Sequence, residues 1–160
     1  MTRENTSRWR RFWNLPREDR ALVLRSALRL CLTFAGLRLL GFRRCRGLIL
    51  RMSLRRHEPG GFDGRDSRRQ METILRAAHS VERNAPFRPN CLERSLALWW
   101  MLRLGGIGAD LHIGGRKSGK NFEAHAWVEC GGQVLNDDAD VHKHYARFDA
   151  PVAALEADSR

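Results

Sequence analysis

The sequence predicts an α+β fold, with helices first and a small antiparallel sheet after them, and three observations carry that expectation. Apolar residues recur at three- and four-residue spacing as far as Leu104, then at every second residue from Ile107 to Val128. Glycine pairs at Gly105-Gly106 and Gly131-Gly132 close the segments that the two periods define. A length of 160 residues with 42% apolar content suits one compact body around a single core.

Charge divides the chain in two. The formal net charge is +11, and residues 1–60 hold 15 arginines against 4 acids, while the remaining hundred hold 14 basic and 14 acidic residues. The expected organisation is therefore a basic helical N-terminal segment over 1–60 and a neutral core over 61–160. A strongly basic chain ordinarily points to a polyanion or an anionic surface. Here no aromatic-interleaved or groove-reading motif accompanies the arginines, so no nucleic-acid partner is expected. Cys31, Cys45, Cys91 and Cys130 are widely spaced and none stands in a CxxC or CxxH pattern, which argues against a local zinc site or redox pair and for a reducing, cytoplasmic setting. Arg8, Arg10 and Arg11 interrupt the start, where a signal peptide would need an apolar run. The most apolar stretch, 21–42, contains Arg25, Arg29 and Arg38, so no membrane-spanning segment is expected.

Pro16, with Glu18 and Asp19 behind it, starts a helix expected to run to about Leu40, its apolar side carried by Leu24, Leu28, Cys31 and Ala35. A second basic stretch follows from Gly41 to Arg56, and the turn residues of 57–64 mark the best internal boundary. Asp66 or Ser67 caps a helix from about Arg68 to Arg83, with Met71, Ile74, Leu75, Ala78 and Val81 on its apolar face. Two prolines keep 84–89 extended. Asn90 with Glu93 forms a capping-box start for a helix that ends at Gly105-Gly106. Three strands are then expected, around 107–113, 122–129 and 134–137, the last two paired as a hairpin through Gly131-Gly132. Arg116, Lys117 and Lys120 read as a solvated hairpin tip.

This order of elements builds a candidate cysteine site. Cys91 falls in the first turn of a helix, where unpaired N–H groups and the positive dipole end favour a thiolate and can also stabilise an oxyanion. A cysteine nucleophile needs a base, and the base needs an orienting acceptor. His125 on the second strand is the candidate base. Hairpin register offers two orienters: a three-residue loop, 130–132, sets Asp137 opposite His125, whereas a two-residue Gly131-Gly132 loop sets Asp138 there. Asp140 is a further neighbour. Geometry leaves the choice open. Trp127 shares the face of His125, as core packing or as a wall of a substrate cleft, and Asn90 either only caps its helix or also supports the oxyanion. Cys31, Cys45 and Cys130 are expected to be packing residues. His112, His142, His144 and Cys130 lack metal-ligand spacing, so neither a metal nor a cofactor is expected.

The fragments Pro89-Asn90-Cys91-Leu92 with Ser95-Leu96-Ala97, Gly105-Gly106-Ile107, Glu123-Ala124-His125-Ala126-Trp127-Val128-Glu129 and Val134-Leu135-Asn136-Asp137 resemble, in order and spacing, the lasso-peptide biosynthesis B2 proteins. These are leader peptidases with a transglutaminase-like, papain-related core. The resemblance covers about Phe87 to Asp137. It implies Cys91 as nucleophile, His125 as general base and Asp137 as orienting acid, and with Asp137 the three-residue loop. It also implies a precursor leader peptide as substrate, a separate leader-recognition protein as partner and a lasso cyclase downstream. The basic segment is then expected to pack on the core and offer a docking face to the leader-bound partner or the cyclase. Two other readings use the same residues differently: a transglutaminase-like acyltransferase, or a basic binding or scaffold module in which the Cys-His-Asp set is accidental.

Overall fold

The computed structural model describes residues 16–53, 65–85, 87–118 and 121–148. The 57–64 boundary, Pro86, Lys120 and the arginines of 1–15 lie outside the described residues. Helix α1 covers Arg17–Ser53, α2 Arg65–Asn84 and α3 Cys91–Leu104. Strands β1 (Asp110–Ser118), β2 (Asn121–Cys130) and β3 (Gln133–Val134) follow, then a short α4 (Val141–His144) and β4 (Ala146–Arg147). The strands form one antiparallel sheet in the order β3-β2-β1-β4. This is the expected α+β fold, with one strand, β4, that the sequence pattern did not reveal because two residues are too few to show a period.

Helix α3 is the centre of the molecule. Leu96, Leu98, Trp99 and Leu102 are almost fully buried, and the core joins them to Met71, Ile74 and Ala78 of α2 and to Leu111 and Val128 of the sheet. A helix that is apolar nearly all round is one covered nearly all round. Trp99 places its indole N–H on the Ala109 carbonyl at 2.9 Å, which satisfies the one polar atom it brings inside.

Helix α1 runs past Leu40 as two helical segments joined at Gly41, whose φ of 75° and ψ of 169° are not helical. A positive φ suits glycine, which has no Cβ to clash. The second segment returns to the core through Cys45, Ile49 and Leu50. The face that the first segment buries is not the expected one: Leu24 and Leu28 are 58% and 59% exposed and Cys31 and Ala35 are also outside, whereas Ser26, Leu30 and Thr33 are inside. Leu30 packs with Val81 of α2 and Ala97 of α3 in one buried cluster, and Ser26 lines the same small gap between the helices as Ala78 and Met101. Small side chains let helices approach closely, and Ser26 keeps its hydroxyl satisfied on the Leu22 carbonyl at 2.8 Å.

The hairpin register also corrects an expectation. Cys130 pairs with Gln133 and Glu129 with Val134, so the loop is Gly131-Gly132 alone and not three residues. Both glycines have positive φ, 56° and 80°, as the twist-matched two-residue turn demands. The longer hairpin is β1–β2, in which Gly114 faces His125 across the strands.

Gly114 marks a tight place. A Cβ there would lie 2.7 Å from the Ala146 carbonyl oxygen of β4 and 2.9 Å from the Trp127 ring. Gly114→Ala is expected to destabilise the fold by about 1–3 kcal/mol through overpacking. Urea unfolding checks this, and an unchanged midpoint would refute the close approach.

Candidate active site

The cap of α3 forms as the spacing foretold. Asn90 is extended (φ −75°, ψ 174°), its Oδ1 accepts the Glu93 N–H at 2.9 Å, and the Glu93 carboxylate accepts the Asn90 N–H at 2.8 Å. The first intrahelical bond runs from Arg94 N–H to the Asn90 carbonyl, so the N–H groups of Cys91 and Leu92 precede the helical ladder. Cys91 is the first helical residue and is partly exposed, next to these donors and the positive end of the dipole. The other cysteines differ in setting. Burial pushes the thiols of Cys45 and Cys130 up, with the Asp110 carboxylate adding to the effect at Cys130.

His125 and Asp137 meet directly, with Nε2 and Oδ2 2.5 Å apart and both side chains about four-fifths buried. An ionised carboxylate only accepts, so with Asp137 in that form the hydrogen of this contact sits on Nε2 and Nδ1 is the ring nitrogen left without one. Two rings neighbour the imidazole. Tyr145 stacks on it with centroids 4.7 Å apart, and the Trp127 ring is 6.3 Å away. Trp127 is fully buried, so it backs the histidine rather than facing solvent. Its indole N–H donates to Glu129 at 2.7 Å, and Arg147 of β4 donates to the same carboxylate oxygen at 2.5 Å.

Cys91 is tied to this pair through its helix. Ser95, one turn further along α3, donates its hydroxyl to the Ala126 carbonyl at 2.8 Å, beside His125, and accepts from the Asn136 amide at 2.8 Å, beside Asp137. Of the residues singled out in the sequence, His125, Asp137 and Trp127 form one contiguous cluster. Asn90 has its Oδ1 committed to the cap. Asp138 is exposed and offers its backbone N–H to Asp137 Oδ1 at 2.9 Å. His142 and His144 are exposed on α4, away from any three-ligand grouping among the described residues. Tyr145 and Glu129 were not singled out as site residues. The chain's single tyrosine offers no periodic signal, and Glu129 looks like any polar residue of an alternating strand.

A thiol at a helix start and a carboxylate-held histidine on an adjoining strand define a class. The Transglutaminase-like superfamily profile matches residues 31–148, and the chain belongs to that superfamily. The chain is also 47% identical over 51 residues to the microcin J25-processing protein McjB of Escherichia coli. That stretch is 32% of this chain and spans 24% of the relative's length. No solved structure is a significant match.

One buried group near the site should make stability depend on pH. His112, 6% exposed and stacked on Trp127, holds its proton less tightly than the ordinary value of 6.5 implies: burial lowers it most, the Glu129 carboxylate opposes, and Arg147 lowers it further. Below about pH 6.5 the unfolded chain therefore binds this proton first, and stability falls as the pH drops toward the folded-state value. His112→Gln is expected to flatten the fall in melting temperature between about pH 7 and 5.5. An unchanged slope would show that His112 does not govern that range.

Proposed function

We propose that this protein is a cysteine peptidase that removes the leader from a ribosomally made lasso-peptide precursor. The observation that carries the reading is the His125–Asp137 pair, linked by Ser95 to the helix whose first residue is Cys91. The partial likeness to a microcin-processing protein supports the substrate class.

In this mechanism His125 Nδ1 takes the Cys91 proton as the sulfur attacks the scissile carbonyl. The N–H groups of the first helical turn stabilise the resulting oxyanion. His125 then returns the proton to the departing amine, which is the new N-terminus of the core peptide. A thioester to the last leader residue remains on Cys91, and water activated by His125 hydrolyses it. Asp137 keeps Nδ1 unprotonated in the resting enzyme and stabilises the imidazolium formed during each half-reaction. The freed amine is what a separate ATP-dependent cyclase would join to an acidic side chain.

Partners follow from the same reading: the precursor peptide, a separate leader-recognition protein and the cyclase. From Arg20 to Ser53 there are eight arginines and no acid, so a protein engaging the outer face of α1 would present an acidic surface. The superfamily name favours one alternative, transfer of the leader acyl group to an amine instead of water.

Incubation of precursor peptide with this protein and the separate recognition protein should give two fragments whose masses sum to precursor plus one water, and Cys91→Ala should abolish this with the fold intact. A leader fragment carrying an added amine would establish the acyltransferase. With iodoacetamide near neutral pH, Cys91 should label ahead of exposed Cys31, with buried Cys45 and Cys130 last. Equal rates for Cys91 and Cys31 would overturn the activated-thiol assignment.

A further inference from the structure

The register of the β2–β3 hairpin places the wrong aspartate at His125. Continued beyond Val134 with the count set by Cys130–Gln133 and Glu129–Val134, the ladder would bring Asp138 opposite His125 and turn Asp137 to the other face. The pairing instead stops. Leu135 still donates its N–H to the Val128 carbonyl at 2.9 Å, but the Val128 N–H is taken by the side-chain Oδ1 of Asn136 at 2.8 Å. An amide side chain thus occupies the place of the next strand carbonyl, the main chain leaves the sheet, and Asp137 arrives at His125 Nε2.

We propose that Asn136, held by Ser95, is the positioning residue that selects Asp137 over Asp138 as the partner of His125. The orientation of the amide follows from its neighbours. Val128 N–H only donates, so it meets Oδ1, and Nδ2 is left to donate to Ser95 Oγ at 2.8 Å. Ser95 in turn donates to the Ala126 carbonyl, and its side chain is wholly buried. Removal of either side chain leaves a polar atom unpaired inside the protein, which is costly, so the network is held as a unit. Its three anchor points adjoin three different segments: Ser95 is one turn from Cys91, Ala126 precedes Trp127 and follows His125, and Asn136 precedes Asp137. Ser95 is wholly buried, and both ends of the Asn136 amide are committed to Val128 and Ser95. They act through the residues beside them.

The catalytic meaning of this selection rests on the peptidase reading, but the selection itself has its own readout, the tautomer of the His125 ring seen by nitrogen-15 NMR. In the otherwise unaltered protein, Asp137→Asn should abolish the preference for hydrogen on Nε2, while Asp138→Asn leaves it in place. In an Asn136→Ala background, Asp137→Asn should produce no further change, and any remaining dependence should move to Asp138. Ser95→Ala, which leaves the loop sequence untouched, should weaken the dependence on Asp137 in the same direction and decides the matter if Asn136→Ala does not fold. A tautomer equally sensitive to Asp137 with and without the Asn136–Ser95 bond would overturn the proposal. Leader cleavage measured alongside should fall about 10–100-fold in kcat for Asn136→Ala, with KM changed far less. If the unaltered protein cuts no leader peptide, the peptidase reading fails while the tautomer result still stands or falls by itself.

Discussion

From Ser95 to Arg103 every residue of α3 is more than nine-tenths buried, so solvent reaches this helix chiefly at its first turn. Sealing a helix on all sides makes a polar group left unpaired on it costly, about 1–3 kcal/mol for a buried donor. Ser95 and Trp99 find partners on main-chain carbonyls of Ala126 and Ala109. The sheet is consequently docked on α3 by directional bonds as well as by apolar contact, and directional bonds fix register where apolar contact would tolerate sliding. The partly exposed first turn inherits that precision, with Cys91 at its head.

A second requirement comes from Glu129, a carboxylate buried on β2. A charge in that position survives only when surrounded by donors. Trp127 and Arg147 supply them from two strands, and His112 approaches Oε2 at 3.6 Å. The cost of hiding the carboxylate is offset by what it holds: the indole that backs His125 is fastened by its only polar atom, and β4 is drawn against β1 beside glycines that leave room for it. Tyr145, at the junction of α4 and β4, is held against the imidazole next to the same strand, and the Arg116 guanidinium sits 4.8 Å over its ring.

Much of this was legible in the residues. The capping box of α3, the change of period after Gly106 and the glycine turn before β3 are local signals, and local signals survive folding. The buried face of α1 was not legible, because leucines occupy more than one side of that helix and its contact surface uses Ser26 and Thr33, which a hydrophobic pattern counts as polar. The orienting aspartate shows a different limit. Turn geometry leaves the loop length open, family likeness argues for Asp137, and the two-residue loop that forms conflicts with Asp137 if β3 is a regular strand. Loop and aspartate are reconciled by Asn136 acting as main chain, a substitution that no period or propensity encodes. Tyr145 and Glu129 depend on contacts between distant segments and left no trace in spacing.

The placement of α1 has a consequence for motion before contact. One face of its first segment is pressed on a body whose own charges cancel, and the arginines Arg25 and Arg38 stand on the opposite side with Leu24, Leu28 and Leu32. Arg43, Arg44 and Arg51 extend the same sign along the second segment. Positive charge gathered on one flank of a neutral mass amounts to a permanent electric dipole moment. In a field of negative potential such a molecule rotates as it diffuses, and the torque is felt over roughly a Debye length, about 8 Å at physiological salt. Encounters with an acidic surface would thus begin with α1 leading, and their orientation would randomise as ionic strength rises.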